Sequence, residues 1–260
     1  MDKMIGGKNF TVLKGRILGF LAPVILVFAF LLVGQPLASA QNVGGVFGPE
    51  VTPGSRAIEF RTAFSPPSDG RPSRITNRLH YQQSVTDNLR LRAVVQGGDT
   101  NTSGFDFDLV QFEAQYQFLE DEEAGFDSAV RLDVLINDKG SPNLVGVNWT
   151  NDVPLGGGWA ARGTVLAQVQ FGDNRNDGLF LQTRSSLRYQ VNPRYNLQVQ
   201  MFNAYGSTDD FPSFRDQSHS IGPAVAVKIG QGWSVEASAL FGLTNATSDV
   251  DFRVFLTKSF

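Results

Sequence analysis

From residue 55 onward the chain alternates apolar and polar side chains with a period of two. Ser128, Val130, Leu132, Val134 and Ile136 share one parity, and Asp127, Ala129, Arg131 and Asp133 the other. Leu89, Leu91, Ala93 and Val95 oppose Arg90, Arg92 and Gln96. Val110, Phe112, Ala114, Tyr116 and Phe118 oppose Gln111, Glu113, Gln115 and Gln117. Trp233, Val235, Ala237, Ala239, Phe241 and Leu243 oppose Ser234, Glu236 and Ser238. Successive side chains of a strand point to opposite faces, so each run is a strand with one apolar and one polar face. The runs predict strands over 55–64, 74–85, 88–97, 106–119, 126–137, 143–151, 158–171, 178–190, 194–205, 214–229, 232–243 and 249–260. Most are about nine residues or longer, whereas a strand of a soluble sheet usually holds about five or six.

The breaks between the runs alternate as well. Thr86-Asp87-Asn88, Asn192-Pro193 and Gly230-Gln231-Gly232 are tight, and Glu120–Gly125 and Pro154–Gly157 only slightly longer. The others, 65–73, 98–105, 138–142, 172–177, 206–213 and 244–248, are polar and generally longer. Short turns at one end, longer loops at the other and an even strand count describe a transmembrane antiparallel up-and-down β-barrel. The expected fold is therefore all-β, a barrel of about twelve strands. A soluble sandwich also alternates. Strand length argues for the barrel, as does the gathering of aromatics at strand ends: Phe60, Phe64, Tyr81, Trp149, Trp159, Tyr189, Tyr195, Trp233 and Phe260. The weakest strand is 214–229. Arg215, Gln217 and His219 share parity there with Ile221, Val225 and Val227, and Pro223 cannot donate to a ladder. Either its upper part stands above the membrane, or Gly222-Pro223 forms a bulge.

The first forty residues read as a leader. Lys3, Lys8, Lys14 and Arg16 precede the uncharged apolar run Ile17–Gly34, and Ala38-Ser39-Ala40 supplies a small-residue cleavage site. Cleavage after Ala40 is expected, the alternative being an uncleaved anchor, since the run just reaches the length of a spanning helix. Residues 41–54 carry Gly and Pro without periodicity and are expected to be a short periplasmic lead-in to a barrel domain, 55–260. No later apolar run is long enough for a helical span. Without the leader, 18 basic residues stand against 24 acidic ones, and no basic run suggests nucleic acid. The absence of cysteine excludes disulfides, thiol chemistry and Cys-based metal sites.

The chain ends Phe252-Arg253-Val254-Phe255-Leu256-Thr257-Lys258-Ser259-Phe260. This resembles the closing strand of porin-like bacterial outer-membrane β-barrel proteins, in which a terminal Phe follows alternating apolar residues. The resemblance implies residence in the bacterial outer membrane, contact with its lipid, and recognition of Val254, Leu256 and Phe260 by the assembly machinery. Lys258 departs from the pattern, at a level where a long amine can snorkel.

The polar parity carries an unusual number of arginines. Arg61, Arg74, Arg78, Arg90, Arg92, Arg131, Arg162, Arg184, Arg188 and Arg253 are expected to face the lumen, with Lys228, against Glu59, Glu113, Asp127, Asp133, Glu236 and Asp251. A wall of guanidiniums lowers the barrier for anions and raises it for cations. The expected function is a small porin-like channel for anionic or polar small solutes. Its plan resembles twelve-stranded channels for acidic oligosaccharides, which carry basic ladders in the lumen. A structural barrel whose paired charges plug the lumen is the alternative. An outer-membrane lipid hydrolase would need a Ser activated by His. The histidines, His80 and His219 (the latter between Ser218 and Ser220), lie near no Gly-x-Ser-x-Gly element, so neither catalysis nor a cofactor is expected. Asp209, Asp210 and Asp216 could offer oxygen ligands to a cation, but they are read as solvated loop charge in preference to a site. The glycosylation sequons at Asn101 and Asn148 carry no weight in a bacterial barrel.

Overall fold

The computed structural model describes residues 42–68, 71–121, 125–138 and 140–260. The leader and its cleavage point lie outside the described residues. The chain forms a closed barrel of twelve strands: β1 (Arg56–Ser65), β2 (Arg74–Ser84), β3 (Leu89–Thr100), β4 (Ser103–Asp121), β5 (Phe126–Asn137), β6 (Asn143–Gly156), β7 (Trp159–Phe171), β8 (Phe180–Gln190), β9 (Tyr195–Ser207), β10 (Ser218–Gly230), β11 (Trp233–Gly242) and β12 (Val250–Ser259). Each strand pairs antiparallel with its sequence neighbours. β1 closes the ring on β12, from Ala57 opposite Ser259 to Phe64 opposite Phe252. Closure leaves no open edge, which a bilayer without water requires.

Burial is inverted relative to a soluble protein. Leu79 and Val147 are 50% and 52% exposed, because only lipid would cover them, while Asp133 and Arg253 are 1% and 2% exposed inside. Parity in the sequence thus sorts lipid face from lumen. Ser128, polar but on the lipid parity, accepts a hydrogen bond of 2.8 Å from the Trp149 indole N–H and is covered.

Several strands run beyond their expected ends. β3 and β4 continue to Thr100 and from Ser103, so 98–105 is mostly the tip of a long hairpin. The register steps there between Gln96 and Gly97. A Cβ at Gly97 would lie 2.6 Å from the Asp106 carbonyl oxygen, and one at Gly98 2.4 Å from that of Ile75, so only glycine permits the approach. β6 extends to Gly156, five residues past its expected end. β10 begins later than expected, at Ser218, after a single 3-10 turn, Phe214–Asp216. The β9–β10 register runs unbroken through Gly222 and Pro223, so there is no bulge. The explanation lies above: Phe214 stacks on the His219 ring with centroids 4.7 Å apart and buries it.

The expectation of a periplasmic lead-in is corrected. Residues 42–51 run inside the barrel, with Val43, Phe47 and Val51 buried. The chain passes from Asn42, bonded to Thr76 near the long-loop end, to Val51, whose N–H donates to Gln117 Oε1 (2.6 Å) near the short-turn end. The physical reason is that this stretch forms no ladder. Its carbonyl groups are taken instead by side chains of the lumen wall.

Candidate functional site

All ten arginines expected to face the lumen, Arg61, Arg74, Arg78, Arg90, Arg92, Arg131, Arg162, Arg184, Arg188 and Arg253, occupy lumen positions of their strands, and the structure sorts them into two groups. In the first, carboxylates hold the guanidiniums. Arg131 lies 2.6 Å from Asp133 and 3.2 Å from Glu113, which also takes Arg92 at 2.9 Å. Arg61 pairs with Glu59 at 2.6 Å and Arg74 with Asp108 at 3.0 Å. Arg162 and Arg188 share Asp152. Asp152 is an acid that the expected end of β6 at residue 151 left out of the lumen; the longer strand brings it in.

The second group is Arg78, Arg90, Arg184 and Arg253. Among the described residues, none of the four forms an ion pair with a carboxylate. Arg78 donates to Gln96 Oε1 (2.8 Å from Nε) and Arg90 to Gln115 Oε1 (2.9 Å). Arg184 makes only two long bonds, 3.3 Å each, to the Gly45 carbonyl and Gln182 Oε1. Arg253 donates to Gln200 Oε1 (3.2 Å), while its Nε and Nη1 are buried without a hydrogen-bond partner. Glu236, expected as an acidic partner, accepts from Gln198 and Gln200 instead.

Aromatic rings complete the wall. The Arg253 guanidinium lies 4.9 Å from the Phe202 ring and 4.8 Å from the Phe255 ring, and Arg61 sits 4.5 Å over the same Phe255 ring. Each contact stabilises a desolvated cation through the ring quadrupole. Neither ring belongs to the aromatics gathered at the strand ends. The parity of Phe255 with Arg253 was the available signal.

Two cavities flank the internal segment. The outer one, about 380 Å³, is lined by Arg74, Arg78, Gln96, Gln168, Arg184 and others toward the long loops. The inner one, about 330 Å³, is lined by Glu50, Glu59, Arg90, Arg162 and Thr257 among others. Gly45, Phe47, Arg61 and Arg92 border both and form the partition between them.

The remaining candidates assemble no second site. His80 is buried on the lumen side with Nδ1 3.8 Å from Glu59, beyond hydrogen-bond reach. The His219 ring nitrogens lie against amide oxygens, Nδ1 2.8 Å from Asn203 and Nε2 3.0 Å from Gln217, so neither is placed to activate a hydroxyl. Asp216 accepts from Ser213, and no metal-binding cluster of His or carboxylate groups occurs among the described residues. Val254 and Leu256 face lipid, and the Phe260 N–H donates to the Arg56 carbonyl at 2.9 Å. Lys258 extends its amine between the rings of Trp233 (5.4 Å) and Phe260 (5.7 Å).

No curated protein matches the sequence. Among solved structures, the fold is similar to the COG4313 outer membrane channel from Pseudomonas putida F1, with a TM-score of 0.67 and 11% identity over 84% of this chain and 100% of that one. It is also similar to the KdgM porin (TM-score 0.57, 11% identity, 78% of this chain and 99% of that one) and to the NanC porin (0.58, 10%, 77% and 98%). Identities this low speak to the fold, that of a bacterial outer-membrane β-barrel. The sequence itself matches a family model over residues 76–252, more than half of its length, and the chain belongs to that family, described as "Putative MetA-pathway of phenol degradation".

Proposed function

We propose that this protein is a narrow passive channel of the outer membrane that prefers small anionic solutes. The observation that carries the reading is the set of lumen guanidiniums without carboxylate partners, Arg78, Arg90, Arg184 and Arg253. A fixed positive charge in a confined, low-dielectric lumen attracts anions and repels cations. Guanidinium stays charged at any physiological pH and presents a planar donor fork to carboxylates. The ion-paired arginines add nothing net to this field; the unpaired ones do. A structure of the KdgM porin in complex with disordered oligogalacturonate, an acidic sugar chain, supports the reading by analogy of fold. The route needs no reacting group and no cofactor.

A second reading has its own observation. Residues 42–51 occupy the lumen between the two cavities, so the barrel could serve structure alone. A planar-bilayer measurement under a salt gradient separates the two. The channel reading expects a reversal potential on the anion side, moved toward zero by the triple replacement of Arg78, Arg184 and Arg253 with Gln. An anion passing about 4 Å from an unscreened guanidinium gains between about 1 and 4 kcal/mol, depending on the local dielectric, so the permeability ratio is expected to fall by at least about fivefold. Absence of conductance from the folded protein over a range of voltages would overturn the channel and leave the filled barrel.

A further inference from the structure

The internal segment hangs on the lumen wall as an acceptor. Among the described residues, it donates to the wall only through the Asn42 amide and the Val51 N–H. Arg61 donates to the Val43 carbonyl (3.2 Å), Arg184 to that of Gly45 (3.3 Å) and Thr150 to that of Phe47 (3.0 Å). Gln115 donates to the carbonyls of Gly48 (2.9 Å) and Pro49 (3.0 Å), and Arg90 to that of Glu50 (3.3 Å). The half-exposed Glu50 carboxylate takes Arg162 at 2.6 Å. None of these bonds is a rung of the barrel. β1 starts at Arg56 and pairs with β12 and β2 without the segment, so the ring is closed whether or not the segment is in place.

What the segment does change is the lumen. Gly45 and Phe47 are two of the four residues that part the outer cavity, about 380 Å³, from the inner one, about 330 Å³; the other two, Arg61 and Arg92, are wall side chains. Withdrawing the segment removes its half of the partition. Its point of attachment is also defined. Ser55 is fixed to Ser84 of β2 through its carbonyl (2.9 Å) and its hydroxyl (3.0 Å). Between Val51 and Ser55 lie Thr52, Pro53 and Gly54, all exposed. Gly54 has a φ of +68°, and nothing lies within 4 Å of where its Cβ would be. A glycine in the left-handed region with open space around it lets the chain change direction without a clash, as a hinge requires.

We infer that residues 42–51 are a strap that closes the lumen, hinged at residues 52–54, and that small oxyanions open it by taking the guanidiniums it occupies. This rests on the channel reading above and adds its regulation. A ligand shifts a conformational equilibrium only by its differential affinity for the two states. Here the difference is explicit. With the strap in place, Arg61, Arg90, Arg162 and Arg184 each spend a donor on it. With the strap withdrawn, those donors face the lumen. An oxyanion meets a guanidinium with two parallel bonds, where a backbone carbonyl meets it with one oxygen. Chloride has no such fork and is the weaker opener. Strap and oxyanion compete, so the observed affinity of the oxyanion is its intrinsic affinity reduced by the fraction of molecules that are open.

The chain has no cysteine, so a single introduced thiol reports the strap. Val43 is wholly buried, and Val43→Cys is expected to react with a charged maleimide in proportion to the open fraction. Phe47→Cys, at the partition, serves if that variant does not fold. In the detergent-folded protein, sulfate is expected to speed the reaction at least about twofold over chloride at equal ionic strength. Glu50→Gln, which removes the half-exposed ion pair of the strap, is expected to speed it about two- to fivefold in either salt. Asn42→Cys with Thr76→Cys places thiols where two side chains already meet, Asn42 Nδ2 lying 3.0 Å from Thr76 Oγ1. A short bis-thiosulfonate bridge between them is expected to abolish planar-bilayer conductance, and its reduction to restore it. Equal reaction rates in sulfate and chloride, or conductance that the bridge leaves untouched, overturns the inference even if the channel prefers anions. Thiol reactivity as expected without any conductance would instead strike the channel reading.

Discussion

Replacing Arg131 with Gln is expected to destabilise the barrel far more than the same replacement at Arg184. Arg131 is 4% exposed, with Nε 2.6 Å from Asp133 Oδ1, Nη2 2.7 Å from Oδ2 and Nη1 3.2 Å from Glu113. Removing one member of a buried ion pair costs about 3–5 kcal/mol, because the remaining charge stays buried without its partner. Relief is partial. Arg92 still holds Glu113, and Gln111 and Asn148 still donate to Asp133, which places the expected loss near the low end, about 3 kcal/mol. Arg184 has only its two 3.3 Å bonds to neutral oxygens, each worth about 1 kcal/mol or less, and its removal relieves repulsion among the lumen cations. The net change there is expected to stay within about 1 kcal/mol. Urea unfolding in micelles, followed by loss of the heat-modifiable gel band, reads both. With a urea slope of about 1–3 kcal/mol per M, Arg131→Gln is expected to lower the midpoint by about 1–3 M and Arg184→Gln by a third of that or less. Equal midpoints for the two variants would refute the reasoning. The cluster of Glu113, Arg131 and Asp133 would then be screened as in bulk water, where such a pair is worth only about 1 kcal/mol.

Two further outcomes follow from the faces of the wall. Val147→Arg, on the lipid face near the middle of β6, is expected to cost about 2–4 kcal/mol in the same assay, as cations do near the bilayer midplane. Deleting Phe260, which lies beyond the last strand and is tied back by one backbone bond to Arg56, is expected to lower the amount inserted in cells while leaving refolding in detergent intact; failure of refolding with normal insertion would reverse that assignment.

The barrel was legible because lipid and lumen are chemically opposite solvents. A one-residue slip in β5 would carry Arg131 and Asp133 into lipid and Leu132 and Val134 into the lumen, so the pattern has to be strict wherever the bilayer surrounds it. Beyond the bilayer nothing enforces the alternation. The hairpin of β3 and β4 therefore ran past its expected ends through Gly97 and Gly98, whose small size reads as a loop signal although it serves close strand approach. The same blindness at the other end of the barrel hid Asp152. Val153-Pro154 broke the pattern, yet Pro154 still pairs opposite Ala160 at the end of β6. His219, which spoiled the parity of β10, is reconciled by Phe214, a ring five residues earlier that stands over it where lipid does not reach.

The lumen segment was illegible for a different reason. Periodicity reports only backbone that forms ladders, and residues 42–51 form none. Yet the need for something like it was written in the wall. A narrow barrel with more guanidiniums than carboxylates holds donors that cannot all reach an acid, and buried donors left unmet are costly. The shortfall calls for acceptors without side-chain bulk, and a glycine-bearing strand of backbone supplies one carbonyl per residue. At Gly45 a Cβ would lie 2.8 Å from the Arg61 Nη1, and at Gly48 one would lie 2.5 Å from the guanidinium carbon of Arg162. Glycine at these two positions lets the carbonyls come close enough to serve. The charge imbalance on the strands and the glycines before them are therefore one feature seen twice.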